Sequence, residues 1–235
     1  MNAEQARRLA AVAGVLVVIS IVAGGFAEVY VPAKLLVASD PKATAANVVA
    51  SPQLFRLSFL IYLIEAVCDV TLALIFYVLL RPVSSALSLL AAFFGIVSTA
   101  TFATSELFYF MASVPILDAE VQNHLTIDQS TLFIYSALTL YGYGGTVFMV
   151  FYGIATGLRG YLFYRSAYFP RWLGALLLLA GTAFIVKNVV AVALPQYDSD
   201  LLLAPMFVAM TALAVWLLLK GVARQRWPVT SNFPL

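Results

Sequence analysis

Histidine and cysteine each occur once in this chain of 235 residues, as His124 and Cys68, and charged residues make up only 10% of it. Each shortage argues against a class of chemistry. A lone cysteine forms no intrachain disulfide and builds no thiolate metal site. No histidine falls in an apolar run, which argues against a histidine-based zinc site or haem ligation in the interior. The chain has no phosphate-cradling glycine loop and no GxSxG elbow, and the apolar runs hold serines such as Ser98 and Ser105 with no base but a carboxylate or Lys187. No basic run suggests nucleic acid. We therefore expect no cofactor and no metal, and assign no catalytic residue. Soluble domains carry about a quarter charged residues, so this chain is not one of them.

What the chain has in abundance is long apolar blocks separated by short polar stretches, with 63% hydrophobic residues overall. That pattern predicts an all-α, polytopic membrane helix bundle. A transmembrane β-barrel would show segments of alternating polarity instead. Six transmembrane helices are expected, at about 9–28, 54–80, 83–112, 130–158, 172–194 and 201–223, forming one integral-membrane domain over 1–235. Arg7-Arg8, an apolar run and Gly25-Phe26-Ala27 also fit a secretory signal peptide. The run exceeds a signal-peptide core, so it is expected to stay as the first span.

If the spans alternate, Arg7, Arg8, Arg81, Arg159, Arg165, Arg171, Lys220, Arg224 and Arg226 fall on one side. The other side holds Lys34, Lys42 and Arg56 against Glu28, Asp40, Asp118, Glu120, Asp128, Asp198 and Asp200. The positive-inside rule then puts both termini in the cytoplasm, with Trp172 and Trp227 in the inner interfacial belt. The inner cations also suit contacts with anionic lipid.

The outer loop 29–53 should contain a short helix. Asp40-Pro41 reads as an N-cap followed by proline at the first helical position, and Ser51-Pro52 repeats the device for span two. Arg81-Pro82 predicts a tight inner turn in which Pro82 starts span three. Gly153 and Gly157 form a small-xxx-small pattern for close helix approach, while Gly142 to Gly145 are expected to loosen the helix near mid-membrane. His124 lies alone in an outer loop and receives no role.

Glu65 and Asp69 lie one turn apart in span two, where each ionised carboxyl costs roughly 2.5–3.5 kcal/mol on insertion scales. At about 100° per residue, Ser58, Tyr62, Glu65 and Asp69 share one face. Glu106 in span three, Tyr141 in span four and Lys187 in span five fall at comparable depth. The set predicts an outward-facing polar cavity. Glu65 and Asp69 would titrate or bind ligand, Lys187 would neutralise one of the carboxyls, and Tyr62, Glu106 and Tyr141 would line the wall. A buried ion pair that merely sets helix register is the plainer alternative.

Arg8 before an apolar span ending Gly25-Phe26-Ala27-Glu28, Phe55-Arg56, Leu80-Arg81-Pro82-Val83, and Tyr164-Arg165-Ser166 followed by Pro170-Arg171 and Leu173-Gly174 form a recognisable set. Together they resemble the bacterial multi-spanning membrane proteins grouped as domain-of-unknown-function family 4386, over nearly the whole chain. A histidine that the family pattern often places in span four, near a Tyr-Gly pair, is replaced here by Tyr141, ahead of Tyr143-Gly144. The resemblance implies a multi-pass protein of the bacterial inner membrane and supplies no activity.

The leading expectation is a protein that binds or translocates a small or amphiphilic ligand, with proton coupling as an option. One rival is an intramembrane enzyme acting on a lipid or isoprenoid. Another is a non-catalytic interaction or regulatory protein. The partners expected are the lipid bilayer and a small or lipid-like ligand.

Overall fold

The computed structural model describes residues 1–37, 40–223, 225, 227 and 228. Arg224 and Arg226, counted above among the inner cations, lie outside the described residues. The helices are α1 (Ala3–Gly24), α2 (Val31–Leu35), α3 (Pro41–Ala50), α4 (Pro52–Leu80) and α5 (Ser85–Met111), then the short α6 (Val114–Leu117) and α7 (Ala119–His124). They continue with α8 (Ile127–Arg165), α9 (Arg171–Ala193) and α10 (Ala204–Leu219). Among the described residues six helical stretches are long and apolar enough to cross a membrane: Ala3–Leu35, Pro52–Leu80, Ser85–Met111, Ile127–Arg165, Arg171–Ala193 and Asp200–Leu219. The protein is an all-helical, multi-pass membrane protein.

Local chemistry explains the short elements. Asp40 accepts a hydrogen bond from Ala43 N at 2.9 Å and opens α3 with Pro41 behind it, as expected. Asp118 caps α7 by accepting from Glu120 N and Val121 N. Helix α5 starts later than the sequence predicts. Residues 81–83 form a turn, and Ser84 Oγ accepts from Leu87 N at 3.3 Å, so a hydroxyl cap outcompetes proline as the starter. Two spans are longer than expected. The first continues past Gly24 through a π-helical turn, Gly25–Tyr30, into α2, which puts Glu28 inside a helix instead of at its end. The fourth runs unbroken to Arg165, so Gly142 to Gly145 do not loosen it and Arg159 is not a loop cation.

The chain divides into two compact units. The first comprises residues 1–21, 68–99 and 149 onward. Its core joins the alanine stripe Ala6, Ala10 and Ala13 of α1 to Leu72, Phe76 and Leu79 of α4, Leu162 and Phe163 of α8, Leu173 and Leu177 of α9, and Leu213 and Leu217 of α10. Helices α8 and α9 meet backbone to backbone through glycines. A Cβ on Gly160 would lie 2.6 Å from Leu178 N, and one on Gly181 would lie 2.5 Å from Gly153 O. Gly153 meets the small-xxx-small expectation against Gly181, inside the chain, whereas a Cβ on Gly157 would meet nothing within 4 Å.

Tyr168, in the connection between α8 and α9, is buried and donates its hydroxyl to Leu79 O at 2.8 Å. Trp227 packs edge-on against it and donates to Met1 O at 3.2 Å. Tyr168→Phe removes the donor and leaves the ring. It should lower stability by about 1 kcal/mol in thermal unfolding of the detergent-solubilised protein. An unchanged midpoint would show that the hydroxyl contributes nothing.

The second unit comprises residues 22–67 and 100–148. Its centre is aromatic. Phe55 stacks on Tyr109 at 4.1 Å between centroids, and Phe102 stacks on Phe148 at 4.6 Å. Gly144 lies where a Cβ would overlap the Ser105 side chain, so α5 and α8 come into close contact at this level.

Candidate functional site

The second unit gathers three tyrosines and two glutamates from four helical stretches. Tyr62 of α4 is fully buried. Its hydroxyl donates to Ala27 O at 3.1 Å and shares a short hydrogen bond with the Tyr141 hydroxyl of α8. Tyr109 of α5 closes the triangle, 5.6 Å from the Tyr62 ring and 5.3 Å from the Tyr141 ring. The π-helical turn matters here. A π turn displaces its carbonyls from the regular ladder, and Ala27 O within it accepts the Tyr62 proton. Glu28, in the same turn, lies within electrostatic reach of Tyr62, Tyr141 and Glu106.

Glu106 is the exceptional member. It is 1% exposed, and neither carboxyl oxygen has a hydrogen-bond partner among the described residues. A buried carboxyl in that setting must be neutralised by a proton or by a cation, because a bare charge away from water is prohibitively costly. Two lysines of this unit are engaged elsewhere: Lys42 with Asp128 at 3.3 Å, and Lys34 over the Tyr30 ring. Arg56 is exposed. Glu65 belongs to this unit too and lies against α1, where a Cβ on Gly24 would stand 3.3 Å from its Oε1. Gly24 therefore leaves room for that carboxyl.

Asp69 belongs to the first unit and has different company. It faces an enclosed cavity of about 20 Å³, lined also by Gly95, Thr99, Tyr152, Thr156 and Arg159. That volume holds one water-sized molecule. Arg159 is 8% exposed and sits over the Phe76 ring at 5.3 Å. Gly95 makes space for its guanidinium, since a Cβ there would lie 2.6 Å from Nη2. Asp69 and Arg159 act on each other electrostatically across the cavity, without an ion pair within 4.0 Å. The Thr156 hydroxyl, fully buried, has no hydrogen-bond partner among the described residues.

The sequence-predicted set is thus divided. Tyr62, Glu106 and Tyr141 come together in one unit, Glu65 lies in that unit against Gly24, and Asp69 lies in the other unit beside Arg159. The role foreseen for Lys187 needs correcting. Its ammonium pairs with Asp198 at 3.1 Å and Asp200 at 3.4 Å, both in the connection after α9. A lysine on the last two turns of a helix reaches along its stem toward the polar end, and the loop carboxylates meet it there. The cation beside Asp69 is Arg159.

Sequence reasoning assigned no role to Tyr109 and none to Arg159 beyond topology, and both carried a signal. Phe102, Glu106 and Tyr109 follow a four-then-three spacing, which marks one face of a helix. Tyr152, Thr156, Arg159 and Phe163 do the same, with no helix breaker before Pro170. Among the described residues no group of three or more His, Cys, Asp or Glu side chains is placed to hold a metal.

Comparison with known proteins adds no chemistry. An uncharacterized protein of Archaeoglobus fulgidus is 36% identical over 160 residues, covering 66% of this chain and 78% of its own. No solved structure matches. The model of the family described as domain of unknown function DUF4386 matches residues 12–221, and the chain belongs to that family.

Proposed function

We propose that this protein lies in the bacterial cytoplasmic membrane with both termini in the cytoplasm. There it binds or translocates a small or amphiphilic cation at the tyrosine and glutamate cluster, in exchange for a proton. The orientation is supported by Arg7 and Arg8 before α1, Arg81 between α4 and α5, Arg165 closing α8, Arg171 opening α9 and Lys220 after α10. The site would open toward the opposite, outer face.

One observation carries the ligand reading: Glu106, buried and without a hydrogen-bond partner among the described residues, lies within electrostatic reach of Tyr62, Tyr109 and Tyr141. Aromatic faces and carboxylates both attract cations and offer little to an anion. Proton and cation would then compete for the same carboxyl, which couples the two. Glu65 and Glu28 supply further negative charge within the unit.

The test uses purified protein, ethidium as an amphiphilic cation probe, and a pH dye in weakly buffered solution. Wild type should bind ethidium saturably and release about one proton per ethidium bound. Glu106→Gln should keep its helical signal and elution volume, lose proton release, and weaken binding more than about tenfold, or about 1.4 kcal/mol. Equal binding and equal proton release in the variant would refute the assignment.

A further inference from the structure

A groove of about 700 Å³ runs along α10 on the first unit, floored by Phe207, Thr211 and Val215 and closed at one end by Trp172, Trp216 and Lys220. Its floor is apolar. Phe207, Val215 and Trp172 are each at least half exposed. From Phe207 to Lys220 the helix rises roughly 20 Å, enough to follow one leaflet of a hydrocarbon core about 30 Å thick.

The closed end has a different chemistry. Trp172 at the first turn of α9 meets Trp216 of α10 edge to face at 5.9 Å. Helix α10 stops just beyond, where Gly221 takes the left-handed conformation with φ 60° and its carbonyl accepts from Trp216 Nε1 at 3.0 Å. That stop leaves Lys220 exposed at the end of the groove. Arg171, also exposed, opens α9 next to Trp172, and Pro170 supplies no side-chain cap to that helix. Neither Lys220 nor Arg171 pairs with a carboxylate among the described residues. The paired indoles and Lys220 thus stand at one end of the apolar groove, next to the uncapped start of α9 that carries Arg171.

We propose that this groove is a selective site for one anionic glycerophospholipid. An acyl chain lies along α10, the glycerol sits beside the two indoles, and the phosphate is held by Lys220 and Arg171 with help from the α9 dipole. Charge decides the occupant. A zwitterionic lipid would fill the groove equally well but gain little from the cations. A second copy of the chain would bring Lys220 and Arg171 against their own counterparts.

The experiment reconstitutes the full chain into vesicles containing dibrominated phosphatidylglycerol or dibrominated phosphatidylcholine. It reads quenching of tryptophan fluorescence, since Trp172 and Trp216 wall the groove and any signal from Trp227 is common to all samples. Wild type should prefer the anionic lipid about 25-fold, about fivefold for each of the two cations near the headgroup. Lys220→Ala and Arg171→Ala should each reduce the ratio about fivefold, and the double variant should bring it close to one. Arg8→Ala, which removes an exposed cation paired with Glu4, should leave it unchanged. Equal quenching by both lipids in wild type would overturn the proposal. So would selectivity that survives the double variant, or a groove that neither lipid can quench because another protein surface fills it.

Discussion

Arg159→Met should destabilise the protein by about 1–3 kcal/mol, the range for leaving a buried polar group without its partner. Arg159 and Asp69 are each 8% exposed and face each other across a cavity with room for one water-sized molecule. Methionine keeps the length and apolar stem of arginine, so little packing against Phe76 is lost. What remains is an Asp69 carboxylate with no cation to balance it. Asp69→Asn removes that surplus, and the double variant should therefore be more stable than Arg159→Met alone. The coupling in such a cycle is expected to exceed about 1 kcal/mol, well above the roughly 0.5 kcal/mol scatter of independent sites. Denaturant titration of the purified protein provides the measurement. Additive single effects would mean that the two charges do not depend on each other. The same cycle bears on the plainer reading of the pair, as a register device rather than a ligand site.

Gly174→Ala should be about as damaging, costing about 3 kcal/mol, at the upper end for overpacking a filled core. A Cβ at Gly174 would sit 2.3 Å from Tyr164 N and 2.7 Å from Gly160 O. Both are backbone atoms, so no side chain can rotate out of the way. Helices α8 and α9 would have to separate along the seam that also holds Gly153, Gly160 and Gly181. Gly157→Ala supplies the control, because a Cβ there meets nothing within 4 Å. Thermal melts should show a large downward shift for Gly174→Ala and almost none for Gly157→Ala. Equal shifts would mean that the seam is looser than its geometry.

How much of the site was readable in advance differs residue by residue. Tyr62, Glu65, Glu106 and Tyr141 stood out because polar side chains in apolar runs are costly, and cost is a property of composition and position. Their spacing placed Tyr62 and Glu65 on one face of α4. Arg159 was missed because a cation near a span end is normally a topology marker. Only the uninterrupted length of α8 shows that it is buried. Lys187 was assigned the opposite error. Depth along the chain says nothing about the direction in which a long flexible stem reaches, and the carboxylates it found lie in a loop.

By itself the sequence determined the class of protein, the number of spans and the places where charge must be dealt with. Those follow from hydrophobicity summed over twenty or so residues, which no packing detail reverses. Tertiary structure alone decided the pairings: Asp69 with Arg159, Lys187 with Asp198 and Asp200, Tyr62 with Tyr141 and the π-turn carbonyl of Ala27. A partner is chosen by rotation about the helix axis and by the glycines that let one backbone approach another. Both depend on contacts between segments far apart in the chain, so a periodic pattern within one segment cannot report them.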